Sequence, residues 1–245
     1  MNKTSSHTIT KLGLAVAATL LASSAGAASF TWNFENTAGL PGSSFVETSL
    51  SGGQTITMKA YSATNNTTAT WTAANFTNQA TAGLGILHSG EPSTAPQHAI
   101  DSVNNTDFVL IDAGVGKTFD WTQLEIGYGV DNYNTGSEIA NQADIKLWTG
   151  NTLPGTLTGN NIAGFSQTSL SNVGINSLTS IDGGSGGNLS PSRYLIIAGD
   201  VNDAFKLKEI RGQTGTPPSQ VPEPAPIALL GLGLLGFTLA RRRSV

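Results

Sequence analysis

The chain has 245 residues, no cysteine and 11% charged residues, with a formal net charge of −4. Between Ala28 and Pro224, seven basic residues stand against all sixteen acidic ones, so this body carries a net −9. That balance excludes binding to a nucleic-acid backbone, which demands clustered Lys and Arg, and the missing thiols exclude disulfides, Cys-ligated zinc and Cys nucleophiles.

Lys3 and Lys11 lead into the apolar stretch Leu12–Leu21, which Ala25-Gly26-Ala27 follows. A basic start, a short apolar centre and small residues at its end predict a secretory signal peptide over residues 1–27, cut by signal peptidase after Ala27. The remaining body, residues 28–210, is long enough for one domain with its own hydrophobic core.

Period-two alternation dominates that body. Phe30, Trp32 and Phe34 alternate with Thr31 and Asn33; Ile56, Met58 and Ala60 with Thr57 and Lys59. Leu124, Ile126 and Tyr128, then Ile145 and Leu147, then Phe205 and Leu207 repeat the pattern. Each predicts a strand with one dry and one wet face. Phe108-Val109-Leu110-Ile111 and Tyr194-Leu195-Ile196-Ile197-Ala198 are apolar throughout, so both are expected as central strands buried on two sides. Turn formers separate the strands at Leu40-Pro41-Gly42, Ser51-Gly52-Gly53, Asn65-Asn66, Asp131-Asn132 and Gly159-Asn160-Asn161. Many short strands without crossover helices predict an all-β fold: a single β-sandwich, jelly-roll-like.

The densest set of polar ligand types is His88, Glu91, His98, Asp101 and Asp107. Its oxygen donors Glu91, Asp101 and Asp107 suit Ca²⁺; alternatively His98 and Asp101 cap a turn. Asp200 and Asp203 admit the same two readings, turn or calcium pair. Trp71 and Trp121 are the tryptophans expected to be freer for exposure and sugar stacking, whereas Trp32 belongs to a dry face. Glu125 and Asp144 are a carboxylate pair of the kind glycosidases use, but acidic residues on wet strand faces are ordinary. Gly183-x-Ser185-x-Gly187 lacks the strand-turn-helix frame of a nucleophile elbow, and Gly231-x-Gly233-x-x-Gly236 lacks a preceding strand for dinucleotide binding. No catalytic constellation emerges, and the chain is not expected to be an enzyme.

The end of the chain carries the clearest signal. Residues 211–220 read as a flexible linker rich in Gly, Thr and Pro. Pro222, Glu223 and Pro224 follow, then the uncharged run Ile227–Ala240, then Arg241, Arg242 and Arg243. Fourteen helical residues span about 21 Å, short of a hydrocarbon core of about 30 Å, so a short transmembrane helix here is a transient anchor. The arginines would stay on the cytoplasmic side, with the body outside.

This three-part tail over residues 221–245 resembles the PEP-CTERM sorting signal of Gram-negative bacteria. The resemblance implies recognition at Pro222, Glu223 and Pro224 by an exosortase, a membrane-embedded cysteine protease or transpeptidase. Within the body, Gly83-Leu84-Gly85-Ile86, His98-Ala99-Ile100-Asp101 and Asp107-Phe108-Val109-Leu110 are similar to the exosortase-dependent surface protein family, as are Tyr194–Gly199 and Asp203–Leu207. Together these readings imply an exported surface or extracellular-matrix protein with a structural or adhesive role, in contact with exopolysaccharide. The alternative is a Ca²⁺-dependent carbohydrate-binding module.

Overall fold

A computed structural model describes residues 27–35, 42–64, 69–89, 91, 98–159, 162–181 and 189–214. In chain order the strands are β1 (Ser29–Asn33), β2 (Ser44–Thr48), β3 (Thr55–Thr64), β4 (Thr72–Ala73), β5 (Asn75–Asn78), β6 (Leu84–Leu87), β7 (Ile100–Asp101), β8 (Asn105–Asp112), β9 (Phe119–Asp131), β10 (Ile139–Ala140), β11 (Gln142–Gly150), β12 (Ser166–Gly174), β13 (Thr179–Ser180), β14 (Tyr194–Gly199) and β15 (Ala204–Thr214). A single 3₁₀ turn, Ala80–Ala82, is the one helical element among the described residues.

The strands form two antiparallel sheets. One runs β10-β9-β15-β6-β5, with β1 and β7 also pairing β15 and β13 pairing β9; the other runs β12-β11-β14-β8-β3-β2, with β4 on β3. Successive described strands change sheet eight times, among them from β8 to β9 and from β14 to β15. Alternation decides which side chains meet inside. Trp32, Met58, Ile126, Ile145, Leu147 and Leu207 all belong to the main core and are fully or almost fully buried. Phe30, Trp32, Phe119 and Trp121 form an aromatic knot there, with neighbouring ring centroids 5.3–6.0 Å apart.

The two apolar runs are buried on both sides for a specific reason. Val109 and Ile111 of β8, with Leu195 and Ile197 of β14, face the main core. Phe108, Leu110, Tyr194, Ile196 and Ala198 face the other way, into a second cluster with Trp71, Trp148 and Ile162. Residues around Trp71, 151–159 and 162–165 thus lie across the outer face of the second sheet as a third layer.

Two expectations need correction. Lys206, assigned by alternation to the wet face of β15, is 2% exposed. Its ammonium donates to the carbonyl of His98 at 3.0 Å and lies 6.0 Å from the Tyr128 ring, so the segment before β7 covers what a bare sheet would leave wet. Furthermore, β15 continues to Thr214, so Arg211–Thr214 belong to the sheet and not to the linker expected from residue 211. Pairing with Phe119–Gln123 of β9 and Ser29–Thr31 of β1 holds that end in place.

Close approach of the same segment explains one glycine. A methyl group on Gly85 of β6 would collide with the carbonyl oxygen of His98. Gly85→Ala is therefore expected to cost at least about 2 kcal/mol, because backbone on both sides must move. The denaturant midpoint checks it; a midpoint equal to that of the parent protein would show that the strand–loop contact is not tight.

Candidate functional site

The strands give the sandwich two poles. At one, the Thr214 amide donates to the Ala28 carbonyl (3.0 Å) and the Ala28 amide to Thr214 Oγ1 (3.1 Å), so the start of the domain and its exit lie together. The eleven-residue β15 runs from Ala204 to Thr214, about 33 Å along the sheet. The far pole is where the carboxylates gather.

Asp101 ends β7, and Asp107 is the third residue of β8. Asp101 Oδ1 accepts the Val103 amide at 3.1 Å, the turn-capping role that its sequence position allowed. Burial pushes its carboxyl up to about 7; the Val103 hydrogen bond opposes the rise, Glu91 adds to it and His88 subtracts from it. Asp107 is completely buried. Burial first, then the charge of Asp101, holds its carboxyl well above the ordinary carboxylate range. The Ser62 hydroxyl opposes that shift, yet neither Asp107 oxygen has a donor in hydrogen-bond geometry. Glu91 Oε2 accepts the His88 amide at 3.2 Å and lies 3.9 Å from His88 Nε2.

The fold therefore brings Glu91, Asp101 and Asp107 into one mutually repulsive neighbourhood. It does not assemble them as a ligand set: among the described residues, no group of three or more His, Asp or Glu side chains is placed to hold a metal ion. The imidazole of His88 is already engaged, with Nδ1 3.0 Å from the Ser89 carbonyl and Nε2 3.1 Å from Asn105 Nδ2. His98 contributes its carbonyl, which Lys206 and Thr77 Oγ1 both use. Burial pushes Lys206 down to about 8, and Glu91 opposes that shift.

A second acidic group, four aspartates, occupies the same pole. Sequence reasoning weighed only Asp200 and Asp203 as a pair. The β9–β15 register sets Val130 opposite Ala204, which continues to Asp131 opposite Asp203. The adjoining register, Ile145 opposite Gly199, continues to Asp144 beside Asp200. Only knowledge of which strands pair could have joined these residues.

The expected sugar-stacking platform is absent from the described surface. Trp71 is 6% exposed and Trp121 fully buried. Trp71 Nε1 donates to the Gly159 carbonyl at 3.0 Å, and Trp121 Nε1 to Ser192 Oγ at 3.1 Å, so each indole is satisfied inside the protein. The large apolar side chains that are exposed, among them Leu50 and Val115, are aliphatic. Glu125 forms an ion pair with Lys208 at 2.9 Å, and Asp144 Oδ1 accepts the Asn172 amide at 2.6 Å.

Residues 220–243 match the family model of the PEP-CTERM protein-sorting motif. The chain carries a PEP-CTERM sorting signal. The motif marks it for export and exosortase processing, which place it at the cell envelope. No curated protein and no solved structure matches the chain. Pro222, Glu223, Pro224 and Arg241–Arg243 lie outside the described residues, as do residues 1–26 of the signal peptide expected over 1–27 and the apolar run 227–240. Among the described residues no helix is long and apolar enough to cross a membrane.

The sorting motif starts six residues after Thr214. Six extended residues reach at most about 20 Å, so the pole holding Ala28 and Thr214 stays close to the motif. The acidic pole lies at the other end of the sandwich.

Proposed function

We propose that this protein is a non-catalytic structural or adhesive component of the cell surface or extracellular matrix, delivered by exosortase and associated with exopolysaccharide. The sorting motif at residues 220–243 carries the reading. Two further features support it. Glu125 and Asp144 are committed to structural partners, and the tryptophans are committed to the two cores. The apolar run then acts as a transient anchor, Arg241–Arg243 orient it, and Pro222, Glu223 and Pro224 present an extended strip outside the bilayer, because proline resists helix.

Intact-mass measurement of the protein from cells with and without the processing protease tests the route. The expected product with protease ends near Val221–Pro224; without it, or with Pro222→Ala and Glu223→Ala together, the chain should end at Val245. A carboxyl end at Val245 in every strain would overturn processing. The matrix role is tested separately: processed protein should sediment with extracellular polysaccharide and be released by its digestion. Processed protein found free in the medium would overturn that part alone.

A further inference from the structure

We infer that the Asp131–Asp203 pair, at the pole of the sandwich opposite the chain exit, is a binding site for a hard divalent cation, Ca²⁺ in particular. The inference is independent of the sorting route.

Four aspartates lie at this pole, no three of them placed to hold a metal ion together, and their partners sort them. Asp200 is neutralised by Lys146, whose Nζ is 2.5 Å from Asp200 Oδ1, and it also caps the Val201 amide. Asp144 Oδ1 accepts the Asn172 amide. Asp131 Oδ2 receives only the neutral amide of Gln142, at 3.1 Å. Asp203 is 3% exposed, and its Oδ1 has no hydrogen-bond partner.

That bare oxygen belongs to a carboxyl on the strand next to Asp131, just past the Val130–Ala204 pair, an approach that is favourable only if a proton or a cation lies between the two groups. Burial, followed by the charge of Asp131, raises the Asp203 carboxyl, while the Asp144 backbone amide opposes the rise and the Asp144 charge adds to it. Like charges set directly opposite on paired strands repel. A sandwich that sets two aspartates just past the last pair of this ladder, with Lys146 already spent on Asp200, leaves a site of excess negative charge.

Hard cations prefer oxygen, and calcium accepts carboxylates together with Asn or Gln carbonyls and water in flexible geometry. Gln142 Nε2 donates to Asp131 Oδ2 and Asn172 Oδ1, at 3.1 and 2.8 Å, so an amide side chain lies beside Asp131 and a cation there would need it to turn its oxygen inward. Two carboxylates with amide and water ligands need no third carboxylate. Such a site belongs to the weak extracellular range, Kd about 10⁻⁴–10⁻³ M. Magnesium demands a tighter octahedron and gives up its water reluctantly, so it should bind less well.

The test is thermal unfolding of the full chain, stripped with chelator, at pH 7.5 in matched ionic strength, with added CaCl₂, MgCl₂ or NaCl. Calcium at 10 mM should raise Tm by about 5 °C, with magnesium giving less than half of that and sodium none. Asp203→Asn and Asp131→Asn should each abolish the calcium shift, and Asp200→Asn, outside the pair, should keep it. Because asparagine is isosteric and removes repulsion, metal-free Asp203→Asn should melt no lower than the parent. A parent protein indifferent to calcium, an equal shift in Asp203→Asn, or a loss common to all three variants would overturn the site.

Discussion

Trp71→Ala is expected to remove about 4 kcal/mol of folding stability, the range for truncating a buried aromatic. The indole stacks on Phe108 with centroids 3.7 Å apart and planes 16° from parallel, and the tilted Tyr61 ring lies 5.8 Å from it. Its Nε1 holds the Gly159 carbonyl and its backbone amide holds that of Leu157, so this residue fastens residues 151–159 over the second sheet. Removing the ring opens a cavity above β8 and β14 and exposes Phe108 and Trp148. Trp71→Phe separates the contributions: it keeps an aromatic face on Phe108 but leaves the Gly159 carbonyl without its donor, for a smaller loss of about 1–2 kcal/mol. Urea unfolding followed by far-ultraviolet circular dichroism reads both. If Trp71→Ala unfolds within about 1 kcal/mol of the parent, the outer layer is a surface covering and not part of the cooperative core.

The strands were legible because alternation is a local property. Phe30 and Trp32, Ile56 and Met58, or Ile145 and Leu147 announce a dry face without any knowledge of partners, and each lies in the main core. The uninterrupted runs at Phe108 and Tyr194 also announced burial on two sides, though not what covers the second side. That cover is built from Trp71 and from Leu153, Leu157, Ile162 and Phe165, which have no period at all because they come from turns. For the same reason Trp71 is expected to be freer for exposure; Trp121 is expected so too, although it lies on β9. An indole in a polar stretch such as Thr70-Trp71-Thr72 gives no sign of the Gly159 carbonyl that will bury it. The carboxylates fell between these cases. Glu91, Asp101 and Asp107 are close in sequence and come together, yet the turn at Val103 and the amide of His88 take oxygens that a cation would need. Asp131 and Asp203 are distant in sequence, and only the β9–β15 register makes them neighbours. The sorting motif differs from all of these, since its recognition rests on the order of residues in an extended strip and requires no tertiary contact.

Asp107→Asn is expected to stabilise the protein at pH 8, on the order of 3 kcal/mol, and to leave it nearly unchanged at pH 4. Asp107 sits between the sheets at the acidic pole, with Ser62 on β3, Asp101 on β7 and Glu91 acting on it, and His88 acting on Asp101. Below the ordinary carboxyl value of 3.8, Asp107 is protonated in both the folded and the unfolded chain, so burial costs little. As pH rises past 3.8 the unfolded chain ionises it while the fold keeps its proton, and each further unit of pH draws about 1.4 kcal/mol from stability. Asp101 acts in the same direction, its loss being complete by about 7. The parent should therefore lose stability steadily from pH 4 towards 7, and Asp107→Asn should flatten that slope. The Asp112–Arg193 pair, two hydrogen bonds of 2.8 and 2.9 Å, has the opposite sign, since the pairing outweighs burial and lowers the Asp112 carboxyl. Its contribution disappears only as pH falls below 3.8, outside the window that tests Asp107. Unfolding free energies at each pH unit from 4 to 8 decide the matter. An Asp107→Asn protein with the parent's slope, or one less stable at pH 8, would mean that the carboxylate finds compensation in the fold and that the repulsion around it is not a cost the sandwich bears.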